Sequence, residues 1–131
     1  MKKLKCAMVG LGRIGWHFHI PQILQHPGFE LTAVVDPDPA RLAEAEKTFG
    51  AVKLYADISE VPCETIDLAV IASPTKFHCE QTVHFLKNGV DVFCDKPAAM
   101  NPAEAETMEK TASATGRKLM VYQPHRLTAE T

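Results

Sequence analysis

Four cysteines are spread through 131 residues as Cys6, Cys63, Cys79 and Cys94, with no CxxC spacing among them. A zinc site or a small disulfide frame would show such spacing, so neither is indicated and reduced, mostly buried thiols are expected. Nor is there an excess of basic charge. Fourteen Lys and Arg stand against sixteen Asp and Glu, for a formal charge of -2, and no basic face calls for nucleic acid. Long apolar runs are absent too: behind the positive start Met1-Lys2-Lys3-Leu4-Lys5 the apolar run stops at Gly10. That is too short for a secretory core or a membrane span, and the protein is read as cytoplasmic. No repeat, linker or low-complexity tract divides the chain. Residues 1–131 therefore read as one domain of ordinary size, with the 46% hydrophobic and 23% charged residues of a globular fold.

What is present begins with the run Cys6-Ala7-Met8-Val9, which flows into Gly10-Leu11-Gly12-Arg13-Ile14-Gly15. A second apolar run, Leu31-Thr32-Ala33-Val34-Val35, ends at Asp36. Strand, glycine turn, helix, strand and acid form the fingerprint of dinucleotide binding. Gly10 permits the tight turn, Gly12 lets the backbone approach a pyrophosphate, and Gly15 lets helix and strand pack closely. Unpaired N–H groups at the helix start stabilise the phosphates. Asp36 lies at the distance expected of an acid that hydrogen-bonds the adenosine ribose. Because it accepts from both ribose hydroxyls and repels a 2′-phosphate, NAD is expected rather than NADP. Arg41, in the following helix, could meet a phosphate, but no Ser-Arg pair follows Asp36.

Strand and helix patterns alternate along the rest of the chain, which predicts an α/β fold: a doubly wound, mostly parallel Rossmann sheet with helices on both faces. A helix over Pro39–Phe49 is opened by Asp38 and stopped by Gly50. A short strand falls near Val52–Tyr55, and another spans Ile66–Ile71. A helix over Lys76–Lys87 closes at Asn88-Gly89, and a strand covers Val90–Cys94. Asn101-Pro102 opens a helix running to about Thr115, and Lys118–Tyr122 is the last strand. Ligands of such sheets bind beyond the carboxyl ends of the strands. Gly10 to Gly15, Asp36, Ala72 to Thr75, Asp95 to Pro97 and Gln123 to Arg126 should therefore line one crevice.

The chain from Met8 to Arg126 resembles the N-terminal domain of the Gfo/Idh/MocA oxidoreductases, the glucose-fructose oxidoreductase and inositol dehydrogenase family. The matching stretches are Gly10 to Gly15, Val34-Val35-Asp36-Pro37-Asp38, Ile71-Ala72-Ser73-Pro74-Thr75 with His78, Gly89 to Cys94, and Asp95-Lys96-Pro97. The last motif is usually Glu-Lys-Pro in that family, and Asp95 departs from it. The resemblance implies that Lys96 is the catalytic lysine, placed at the substrate hydroxyl or the nicotinamide ribose, and that the Lys96–Pro97 peptide is cis. It further implies that Gly10, Gly12, Arg13, Ile14, Gly15, Asp36, Ala72, Ser73, Pro74, Thr75, His78, Asp95, Lys96, Pro97 and Arg126 border the cofactor. The expected reaction is hydride transfer between a nicotinamide cofactor and a sugar, polyol or related hydroxyl or carbonyl compound.

Family members add a C-terminal domain that forms the substrate floor, supplies an acid/base and makes the contacts of a homo-oligomer. The chain ends at Thr131, where such a polypeptide would cross into that domain, so no turnover is expected from it alone. The competing reading is a free-standing NAD(H)-binding sensor or scaffold domain, which would have no need of Lys96. No metal is expected. His17 and His19 lack an i, i+4 partner with a third ligand and read as helix-surface and packing residues. Cys94 lacks a paired base and reads as a small buried residue.

Overall fold

The computed structural model describes residues 3–122. Its centre is a six-stranded sheet in which every neighbouring pair is parallel. The strands are β1 (Leu4–Val9), β2 (Phe29–Val35), β3 (Lys53–Tyr55), β4 (Leu68–Ile71), β5 (Asp91–Asp95) and β6 (Leu119–Tyr122). Their spatial order is β3-β2-β1-β4-β5-β6. The chain winds outward from β1 to β3, then returns to β4 on the other side of β1. The order reverses there, and such a reversal opens a crevice at the carboxyl ends of the two adjoining strands.

Alternation along β1 populates two cores. Ala7 and Val9 face Phe85 and Leu86 of α3 (His78–Lys87) and Met108 of α4 (Pro102–Thr115). Cys6 and Met8 face Ile20 and Ile23 of α1 (Ile20–Gln25) and Ala45 of α2 (Pro39–Phe49). Strands buried on both faces need apolar residues at successive positions, which is why β1, β2 and β4 read as nearly unbroken apolar runs. Each large side chain fully buried in this way stabilises the fold by about 1.5–3 kcal/mol before entropy is set against it.

Helix ends follow the local chemistry of the sequence. The Asp38 carboxylate accepts from Ala40 N–H at 2.9 Å with Pro39 at the first helical position, and Asn101 Oδ1 accepts from Glu104 N–H at 2.9 Å ahead of Pro102. These contacts satisfy N–H groups that a helix start leaves without an internal partner.

Several boundaries differ from the sequence expectation: β3, β5 and β6 each begin one residue later, β5 also runs one residue further to Asp95, and three further differences stand out. The segment from Thr75 to Phe77 is a 3-10 turn, so α3 proper begins at His78. β4 starts at Leu68 because the preceding residues Cys63–Thr65 form another 3-10 turn. The helix after the glycine turn opens at Arg13, is π-wound from Gly15 to His19 and returns to regular winding at Ile20. A π turn carries one residue more than an α turn, so it shifts the phase of every side chain behind it.

Candidate functional site

Gly10 leaves β1 with φ at 98°, a conformation that L side chains rarely adopt, and its N–H donates to Val35 O at 2.8 Å. A Cβ at this position would stand 2.7 Å from the Ser73 backbone nitrogen. The glycine turn is thus seated directly on the loop behind β4. A Cβ on Gly15 would overlap the Gly10 carbonyl oxygen, so both residues are glycine for want of space. Gly12 differs: the nearest atom to a Cβ there is the Arg41 guanidinium, at 3.5 Å. The backbone at Gly12 is open to a ligand, as a pyrophosphate turn requires.

Asp36 is buried at the end of β2. Its Oδ2 accepts from Leu11 N–H at 2.8 Å and its Oδ1 from Asp38 N–H at 2.9 Å. One carboxylate therefore fixes the glycine turn to the β2 loop, and lone pairs remain on both oxygens for further donors. Arg41 lies over it at 49% exposure, with its guanidinium 3.7 Å from Asp36 and 3.7 Å from Asp38.

A cavity of about 510 Å³ opens beside these groups, and Gly10, Asp36, Ser73 and Pro74 line it. Its remaining walls include Asp38, Arg41, Asp57, Ile58, Phe77 and Glu80. Four acidic residues, Asp36, Asp38, Asp57 and Glu80, thus share the lining with one basic residue, Arg41. The Asp57 carboxyl is held below the usual carboxylate range by Ser59, whose hydroxyl donates at 2.6 Å and whose N–H donates at 3.0 Å. Gly12 and Arg13 border a neighbouring hollow of about 210 Å³, again with Arg41.

Asp95, Lys96 and Pro97 lie together where β5 ends, with His78 beside Pro97. The Lys96–Pro97 peptide is cis, and both residues are exposed. The Asp95 carboxylate, 15% exposed, receives the His19 Nε2 hydrogen at 2.5 Å. Because a carboxylate only accepts, Nε2 carries the hydrogen. His78 is 2% exposed and stands between two loops: its Nε2 is 2.6 Å from Ser73 O and its Nδ1 is 3.1 Å from Pro97 O. Both partners are acceptors, so a neutral ring donates to one and an imidazolium to both. Ile14 stands 50% exposed at the glycine turn, while Ala72 and Thr75 flank the Ser73-Pro74 loop without lining the cavity. Arg126 lies outside the described residues.

Sequence reasoning missed two things here. The end of β3, with Asp57 and Ile58, lines the cavity by the same strand-end rule that picked out Asp36. His19 is buried and joined to Asp95, where packing at a helix surface was expected. Burial pushes the Cys94 thiol up to about 12, which leaves it inert at the base of the Lys96 turn. Among the described residues no group of three or more His, Cys, Asp or Glu could hold a metal ion, and no helix is long and apolar enough to cross a membrane.

A six-stranded doubly wound sheet with a glycine turn and an acid at its reversal point defines a dinucleotide-binding domain. Residues 4–123 match the Gfo/Idh/MocA family, described as an oxidoreductase family with an NAD-binding Rossmann fold, and the chain belongs to that family. It is 38% identical over 93 residues to scyllo-inositol 2-dehydrogenase (NADP(+)) IolU of Bacillus subtilis, covering 70% of this chain and 28% of that protein. It is 30% identical over 132 residues to D-glucoside 3-dehydrogenase of Escherichia coli, covering 98% of this chain and 37% of the relative. Among solved structures, the WlbA dehydrogenase of Bordetella pertussis in complex with NADH and UDP-GlcNAcA superposes with a TM-score of 0.88 at 29% identity, covering 95% of this chain and 36% of that one. The relatives are sugar and polyol dehydrogenases, and this chain spans about a third of their length.

Proposed function

We propose that this chain is the NAD(H)-binding part of a dehydrogenase that oxidises a secondary hydroxyl of a sugar or polyol, or reduces the matching carbonyl. The observation that carries this reading is the joining of Asp36 to the glycine turn through Leu11 N–H, beside a cavity walled by the loops of four strand ends. The residues fit the cofactor. Gly12 leaves the backbone open to a pyrophosphate, and Asp36 retains lone pairs for two ribose hydroxyls.

The nicotinamide supplies the hydride chemistry when bound. Everything else falls to the protein. Gly10 to Gly15 receive the phosphates, and Asp36 orients the adenosine end. Lys96 presents an ammonium with three donors at the opposite end, where it stabilises negative charge on the substrate oxygen and passes a proton to or from it. Asp95 is held by His19 rather than presented to the crevice, so its part is to fix the turn.

Preference for NAD over NADP follows from charge. A 2′-phosphate at Asp36 would enter a wall of four carboxylates met by Arg41 alone. We also place the protein in the cytoplasm, where the nicotinamide pool and reduced thiols are found, and we assign turnover to the longer family architecture rather than to this chain by itself. Joining this chain to the substrate domain of a polyol dehydrogenase and following absorbance of NADH tests the reading. The chimera should oxidise that domain's polyol, and Lys96→Ala should lower kcat by about a hundredfold or more. Unchanged kcat in the variant would remove the assigned role.

A further inference from the structure

Lys96 follows Asp95, the last residue of β5, and precedes Pro97, and each of these neighbours lies within hydrogen-bond distance of a different buried histidine. His19 takes the Asp95 carboxylate at 2.5 Å, and His78 stands 3.1 Å from the Pro97 carbonyl oxygen. We propose that His19 and His78 are positioning residues, a two-sided clasp that fixes the backbone of Lys96 and thereby the reach of its ammonium. This deepens the dehydrogenase reading and rests on it, because the lysine needs a fixed place only if a reacting oxygen lies before it.

Burying an imidazole is costly unless its nitrogens are hydrogen-bonded, and apolar side chains would pack these positions at less risk. Here two imidazoles are buried, from two separate helices, and both turn to the same three residues. The rest of their surroundings ties the clasp to the nucleotide end. His19 ends the π turn that begins at Gly15 of the glycine turn, and its ring is held edge-on against Phe93 of β5 at 5.9 Å. His78 reaches the carbonyl of Ser73, the residue whose backbone seats Gly10. Lys96 is itself exposed, on a flexible four-carbon stem. Fixing its Cα from both sides removes the backbone part of the ordering cost and leaves the side-chain rotamers alone to be selected.

The clasp predicts local order before any ligand binds. Backbone amide relaxation of the full chain without cofactor should give Lys96 an order parameter of about 0.85, equal to that of Val92 in β5. In His19→Leu and in His78→Leu the Lys96 value should fall below about 0.6 while Val92 keeps its value. His19→Gln, whose amide can still donate to Asp95, should restore most of the order. Asp95→Ala removes the same contact from the other partner should a histidine variant fail to fold, and Lys96 order should fall there as in His19→Leu while Val92 keeps its value. Lys96 order unchanged in the folded variants would overturn the clasp. So would a parallel fall at Val92, which would make the histidines general packing residues. A titration of the unmutated chain with NADH, run alongside, separates the two levels: absence of binding refutes the dehydrogenase reading, whereas binding with unchanged Lys96 order in the variants refutes the clasp alone.

Discussion

The two ends of the crevice are built in opposite ways. At the nucleotide end, the decisive contact joins Leu11 to Asp36 across 25 residues, inside one strand-helix-strand unit. At the lysine end, His19 meets Asp95 across 76 residues, and His78 meets Pro97 across 19. The parts of the first end lie together within the single passage from β1 to β2. The second draws on three elements, the π turn, the end of β5 and α3. One end is thus closed by a contact within a single unit, the other by contacts that only the assembled sheet brings together.

Gly15 is where the two ends touch, since it closes the glycine turn and starts the π turn that delivers His19. Its replacement should have the largest effect. Gly15→Ala places a methyl group into the Gly10 carbonyl, and urea denaturation should show a loss of about 3 kcal/mol or more, with NADH binding abolished. A stable, NADH-binding Gly15→Ala protein would break the account of how the two ends are joined.

Asp36→Ser sharpens the comparison by disturbing one end alone. Removing the carboxylate takes away the repulsion of a 2′-phosphate and leaves Arg41 as a partner for it, so the ratio of NADPH to NADH dissociation constants should fall by about tenfold or more. Lys96 order should not change. Equal preference before and after the substitution would mean that Asp36 serves only to anchor Leu11.

The smallest effect concerns the strands beneath the two ends. Burial pushes the Cys6 thiol of β1 up to about 11 and the Cys94 thiol of β5 up to about 12, from 9.0. Both folded values lie above the unfolded value, so the native state keeps protons that the unfolded chain releases. The stability is complete below pH 9 and is lost as the pH rises from 9 through 11 and 12. Unfolding free energies from urea denaturation at pH 8.5 and 10.5 should differ by on the order of 1 kcal/mol per thiol. Cys94→Ala should narrow the difference, and a flat profile would contradict the burial of both sulfurs.

Much of this was legible in the sequence for reasons that are local. Asp38-Pro39 and Asn101-Pro102 announce helix starts because capping is settled within four residues. The apolar runs of β1, β2 and β4 announce strands covered on both faces, and the glycine spacing with Asp36 announces the nucleotide end. The lysine turn was legible only through resemblance, since Asp95-Lys96-Pro97 alone reads as an exposed turn. His19 was hidden because its partner is remote: Asp95 lies 76 residues away and meets it only through the folded sheet. The β3 end escaped notice because three residues of strand, Lys53–Tyr55, give a weak pattern even where Asp57 and Ile58 behind them line the cavity.

The most direct test of the central claim is a calorimetric titration of this chain with NADH and NADPH, side by side at one ionic strength. Saturable binding with NADH the tighter ligand is the predicted result, because the open backbone at Gly12 and the acidic wall around Asp36 lie within the described residues. No binding of either, or tighter binding of NADPH, would contradict it.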